Sequence, residues 1–399
     1  MTTRTQGRAL VRLLPALKDY AWGDARYIPE LLGQPVGETP VAEAWFGTHP
    51  QGPSRVEAPA VPLPELLREE AGRWLGPDLA REGVELPFLV KFLAAARPLS
   101  IQVHPDTAQA REGFAREDAA GIPRDAPERC YRDPHAKPEI ILALEPFEAL
   151  CGFRPDDEIR AALSRQPELA DLAWLCGRGW NGQKELLRHW FELPEDDVRR
   201  RQAALVERLR TQELLTGAER LLLEIVRDVP GDVAADRGLL FALLLEHVHL
   251  DPGQALFLRA GVPHAYLRGA GLEVMGASDN VLRAGLTGKH VAPQELQRIV
   301  RFAAGGAWRV APEDVSGDER VYRTAAREFE VSCLACGEAP VVRAAAGPEL
   351  LVVLTAEESV EVRAGEEALR LPRGGACLLA HGTRVALRGA GTVARVRVP

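Results

Sequence analysis

No stretch of this 399-residue chain approaches the ~20 apolar residues of a membrane span, and no secretory apolar segment follows Arg4, Arg8 and Arg12. A cytoplasmic protein is the expectation. Cysteine is sparse, with six in the whole chain, which is too few for a disulfide framework at this length. Cys333 and Cys336 form a CxxC without a second pair. They fall in the alternation Phe329, Val331, Cys333, Ala335, so a buried structural role is expected. Positive charge is not in excess. The net charge of −8 argues against a nucleic-acid surface and does not favour anionic membranes. There is no dinucleotide fingerprint and no Gly-x-Ser-x-Gly elbow. Gly285-Leu-Thr-Gly-Lys289 is not a phosphate-cradling P-loop, because its first glycine lies too close to the Gly-Lys pair.

What is present is a globular composition, 46% hydrophobic and 27% charged, in a chain long enough for two or three compact units. Residues 1 to about 153 read as strands and turns with one short helix near Leu63–Leu75. Within them, Phe88, Val90 and Phe92 alternate with Leu89, Lys91 and Leu93, which places Lys91 on a strand lining a polar pocket or a solvated mouth. From Pro155 the pattern turns helical. Helices are expected over Asp156–Leu175, Gln183–Phe191, a stretch capped by Asp196 and Asp197, Ala218–Asp228 and Asp236–Glu246. After Leu250 the strand pattern returns.

Chemistry concentrates in three short runs. In Pro98-Leu-Ser-Ile-Gln-Val-His-Pro105, period 2 on a strand puts Ser100, Gln102 and His104 on one face. In His135-Ala-Lys-Pro-Glu139, Lys137 and Glu139 share a face by the same rule. Val262-Pro-His-Ala-Tyr266 is read as a strand ending in His264. Gln102, His104, Glu139 and His264 make an N/O ligand set of the kind zinc accepts at an open catalytic site. His189, His247, His249, His290 and His381 are read as ordinary residues. His247-Val-His249 copies the spacing of Gln102 and His104, but no acidic residue of the right spacing joins it.

With these runs stand Tyr20-Ala-Trp-Gly23, Ala42-Glu-Ala-Trp-Phe-Gly-Thr-His-Pro50, Pro87–Leu93, Gly152-Phe-Arg-Pro155 and the stretch from Gly253 to His290. In this order they resemble type I phosphomannose isomerase, a zinc enzyme built on cupin-type β-barrels. The resemblance implies a mainly β fold with a helical insertion. A metal-binding catalytic cupin barrel would span 1–153 and 247–312, an α-helical domain 154–246, and a degenerate C-terminal barrel 313–399. An internal repeat supports the last unit, because Gly253–Tyr266 overlies Gly374–Leu387 without a gap and sets Val385 opposite His264. One zinc ion per chain is therefore expected.

The implied reaction interconverts mannose 6-phosphate and fructose 6-phosphate through a cis-enediol. It needs stabilised enediolate oxygens, a positioned acid/base and a grip on the phosphate. Lys137, Glu273 and Asp279 are the acid/base candidates, with Lys137 and Asp279 favoured. Burial beside a cation favours the free amine of a lysine. The resemblance points to Arg283 as an essential residue for phosphate or enediolate, with Ser100 and Lys91 as further substrate contacts. Many family members carry histidine immediately before the lysine of Lys-Pro-Glu, where this chain has Ala136, with His135 one place earlier. That shift leaves a non-catalytic sugar-phosphate sensor as a rival, beside a metal cupin acting on another sugar. The expected partner is a small sugar phosphate, taken by a monomer that binds neither nucleic acid nor membrane.

Overall fold

The computed structural model describes residues 7–176, 182–302, 306 and 308–399. It is strand-rich, and every pair of named strands is antiparallel. One sheet runs Arg309–Val310, Ala255–Leu258, Glu139–Ala143, His264–Gly276, Phe88–Ala95, Glu43–Phe46, Ala16–Lys18. Its central strand, His264–Gly276, carries the site. Towards its C-terminus it pairs with Phe88–Ala95 and Glu139–Ala143; towards its N-terminus it pairs with Phe147–Phe153 and Ile101–Val103. The bend between these halves lies at a register shift between Tyr266 and Arg268. Gly269 follows at φ 113°, and a Cβ there would stand 2.4 Å from the Pro146 carbonyl oxygen, so only glycine fits.

The alternation over Phe88–Leu93 is realised residue by residue. Phe88, Val90 and Phe92 are buried in a core shared with Val331, Leu350, Val352 and Ala376 of the C-terminal sheet. Each such side chain contributes roughly 1.5–3 kcal/mol by burial. Lys91 points the other way, into the site. The N-terminal strand Leu10–Leu14 pairs with Ala376–Leu379, so the chain's start is built into the C-terminal sheet. Val385, opposite His264 in the repeat, is buried among Leu351, Val360 and Leu387. Cys333 and Cys336 are buried, free thiols, and burial raises both to about 11. That agrees with the structural reading.

Several local expectations are corrected. The helix Thr107–Ala119 was not anticipated; a capping box between Asp106 and Gln109 closes its first turn. Asp196 and Asp197 do not cap their helix. Pro194 occupies the N-cap position without a side-chain cap, and the two aspartates lie in the first turn of Glu195–Thr211, where they complement the helix dipole. The stretch 236–246 holds only short turns of helix, Arg237–Leu240 and Phe241–Leu244, before a strand begins at Leu245. No helix among the described residues is long and apolar enough to cross a membrane.

Candidate active site

Proline sets where the site-bearing strands start and stop. Pro138 has no N–H for a ladder, so the strand begins at Glu139 and Lys137 sits in the irregular approach to it. The shared-strand reading of Lys137 and Glu139 is therefore incorrect, although their side chains still meet, with Nζ 3.2 Å from Oε1. Likewise only Ile101–Val103 is strand, with Ser100 and His104 flanking it. His264, after Pro263, opens its strand rather than ending one.

These corrections still leave three of the four candidate ligands side by side. His104, Glu139 and His264 are buried, and one ligand atom from each lies within 4.8 Å of the others. His104 Nε2 is 3.3 Å from Glu139 Oε1, and His264 Nε2 is 3.4 Å from Glu139 Oε2. The opposite ring nitrogens decide the tautomers. His104 Nδ1 is 2.7 Å from the Asn280 carbonyl and His264 Nδ1 is 2.9 Å from the Val262 carbonyl. A carbonyl only accepts, so both Nδ1 atoms donate and each ring is left with its Nε2 facing the carboxylate. His104 Nε2 is buried without a hydrogen-bond partner. Burial pulls the His104 pKa down to about 4 against the opposing pull of Glu139, which keeps that ring neutral. Burial also opposes the Glu139 anion, but its polar surroundings outweigh burial and hold its pKa well below the usual value. Two ring nitrogens and a carboxylate converge in a buried recess, and this donor set fits zinc. Gln102 stands directly across from His264 in the strand register and lines the same recess.

Above the recess opens a cavity of about 740 Å³, ample for a phosphorylated hexose. Lys91 sits at its floor between Glu273 (3.0 Å) and Glu43 (3.5 Å). Burial works against its charge, but Glu273 and Glu43 override that and raise its pKa, so it remains an ammonium. Glu273 also accepts from the Tyr266 hydroxyl at 2.9 Å. Burial raises the Glu273 pKa despite Lys91. Asp279 meets His49 at 3.2 Å and accepts from Gln51 at 3.2 Å. Burial opposes ionisation of Asp279, but the His49 contact outweighs it and lowers its pKa.

One wall of the cavity is basic. Arg283 pairs with Gln102 in the strand register, and Arg132 and Lys289 line the wall beside it. Burial and then Arg132 lower the Arg283 pKa; burial, Arg283 and Arg132 lower that of Lys289. These three cations gathered on one wall form a binding place for an anion, working against the net charge of −8. Lys289 reaches it from the loop after Gly285. That loop is no P-loop, but it is held to the helical region by Thr287 N donating to Asp236 Oδ2 at 2.9 Å. Val229 to Val233 and Asp236 of that region line the same cavity.

All the candidates singled out from sequence meet here: Ser100, Gln102, Lys91, Lys137, Asp279 and Arg283 on the cavity wall, Glu139, His264 and Glu273 in the recess, and His104 against Glu139. Sequence reasoning missed His49, Arg132, Lys289 and Asn280. His49 lay in a motif already noted, but its partner Asp279 is remote in sequence. Asn280 is fully buried. Its Nδ2 donates to the Asp133 and His135 carbonyls at 2.8 and 2.9 Å, and its Oδ1 accepts from Arg132 N at 2.7 Å. It thus ties His104 to the segment carrying Arg132 and Lys137. His135 is exposed. His247 and His249 do have an acidic neighbour, Glu148, contrary to the sequence reading.

Residues 10–156 match the catalytic domain of type I phosphomannose isomerase. The mannose-6-phosphate isomerase of Escherichia coli (strain K12) is 36% identical over 96% of this chain and 98% of its own length. The chain belongs to the type I phosphomannose isomerase family. An Arabidopsis thaliana mannose-6-phosphate isomerase is 34% identical over 91% of this chain and 88% of its own length. The mannose 6-phosphate isomerase from Salmonella typhimurium bound to fructose 6-phosphate and zinc superposes with a TM-score of 0.89 at 34% identity, covering 98% of this chain and all of that one. As a phosphomannose isomerase, the chain keeps the family's strand-rich plan together with a buried His/Glu/His cluster suited to zinc.

Proposed function

We propose that this chain is a zinc-dependent aldose–ketose isomerase interconverting mannose 6-phosphate and fructose 6-phosphate. The observation that carries the reading is a cavity with Arg283, Arg132 and Lys289 on its wall, which shares Gln102 and Lys137 with the recess beside the buried His104–Glu139–His264 cluster. Gln102, His104, Glu139 and His264 would hold the zinc, which when bound supplies Lewis-acid polarisation of the sugar oxygens.

The chain's own residues account for the remaining needs. Arg283, with Arg132 and Lys289, grips the phosphate and fixes the sugar's distance from the recess. Lys137, on the wall between cavity and recess, carries the proton between C-2 and C-1. Asp279 stays ionised and orients His49, whose imidazole faces the cavity as a second proton carrier for the hydroxyls. Ser100 contacts the substrate from the rim of the recess. Glu273 holds Lys91 and is a positioning residue rather than the base, since both its neighbours are polar groups it already binds. Lys91 supplies a fixed positive charge towards the enediolate.

The three-part division (1–153 with 247–312, 154–246 and 313–399) belongs to the same proposal. The helical part supplies one wall of the cleft. The sensor reading rested on His135 and Ala136. It loses its ground where Lys137 occupies the site and the exposed His135 is not needed there. The test is solvent exchange. In D2O, fructose 6-phosphate formed from mannose 6-phosphate should carry deuterium at C-1, and His104→Ala should lose both exchange and zinc. Binding of fructose 6-phosphate with no exchange at C-1 would favour the sensor.

A further inference from the structure

The sheet carries a second cluster of metal-binding side chains, away from the cavity. Strand Leu245–Leu250 is an edge strand paired to Phe147–Phe153, with Leu150 opposite His247 and Glu148 opposite His249. Alternation puts both imidazoles and the Glu148 carboxylate on one face. The two rings lie 4.1 Å apart between centroids. His247 Nε2 is 2.9 Å from Glu148 Oε2, and His249 Nδ1 is 4.0 Å from Oε1. The three ligand atoms fall within 4.8 Å of one another. We propose that Glu148, His247 and His249 form a second site for a divalent transition metal, of which zinc is the representative, distinct from the catalytic one.

The donor set is two neutral nitrogens and one carboxylate oxygen, a borderline-hard set suited to zinc. His249 is largely exposed and His247 a quarter exposed, so water completes the coordination. The metal-free cluster already holds a cation in this place. Arg268 donates to Glu148 at 2.8 and 3.1 Å, and donates also to Glu224 at 2.6 Å. When the metal takes Glu148, the guanidinium keeps Glu224, so neither charge is left unpaired. Competition from Arg268 makes this site weaker than the catalytic one, so it fills second. Its effect is to staple the edge strand where the chain leaves the helical turn Phe241–Leu244 and re-enters the sheet.

The proposal does not depend on the isomerase reading. Zinc-loaded protein is taken to equilibrium dialysis against zinc up to the millimolar range, with metal counted per chain and turnover recorded in parallel. Wild type should bind two equivalents. His247→Asn/His249→Asn and, separately, Glu148→Gln should bind one, with turnover unchanged as proof that they are folded and that the catalytic metal is in place. A wild-type count of one throughout that range, or a second equivalent that survives in both folded variants, would overturn it.

Discussion

Lys91→Met tests the electrostatics of the floor of the site. Lys91, Glu43 and Glu273 are each under 10% exposed, and the lysine stands 3.0 Å from one carboxylate and 3.5 Å from the other. Methionine fills nearly the same volume, so the change removes a charge without opening a cavity. Removing one partner of a buried pair costs about 3–5 kcal/mol, because the remaining charge has no compensation. The loss should depend on pH. Glu273 is already raised by burial, so it takes up a proton first once the ammonium is gone. Protonation relieves the repulsion, and the deficit of the variant shrinks as pH falls from 8 to 5. At pH 8 a loss of about 3 kcal/mol lowers the melting temperature by roughly 4 °C if the chain unfolds as one unit. Adding Glu273→Gln should restore most of the stability and none of the activity. Urea unfolding of the two variants at both pH values gives the answer. A loss below about 1 kcal/mol at pH 8, or a deficit that grows on acidification, would refute the reasoning.

Other outcomes follow from the same geometry. Asn280→Ala leaves the Arg132 amide and the carbonyls of Asp133 and His135 without their buried partner; it should destabilise by about 2–4 kcal/mol and weaken zinc ~10–100-fold through His104, as read by competition with a chelator. Lys137→Ala should keep its zinc and lose ~10²–10⁴ in turnover; a near-normal rate would shift the proton transfer to His49 and Asp279. Lys289→Met should raise KM for the sugar phosphate and weaken inhibition by inorganic phosphate, with kcat changed less. Asp279 has a lowered pKa, so its stabilising contribution is present above the ordinary carboxylate range and is lost as pH falls through the folded value. Asp279→Asn should therefore flatten the acid side of the stability profile, which unfolding midpoints from about pH 5 down to about pH 2 would show.

The parts legible in sequence were those whose signal is local. Phe88–Leu93 announced both its core face and Lys91 by period 2, and the metal ligands lay in short runs with that spacing. The extent of the strands was misread because Pro138 and Pro263 interrupt hydrogen bonding without disturbing side-chain alternation. The helix Thr107–Ala119 escaped because it buries little besides Ala110, Gly113 and Glu117; its Asp106–Gln109 capping box was the available signal. Arg132 and Lys289 were hidden among 49 cations, and only the fold shows that they converge on Arg283. Glu148 and His249 lie far apart in the chain and meet only through strand pairing.

The most direct test is turnover of mannose 6-phosphate to fructose 6-phosphate on the purified protein, before chelation, after it, and after zinc is returned. Activity lost with the metal and regained with zinc is the predicted result. A folded, fully zinc-loaded protein that does not turn the substrate over would contradict the assignment.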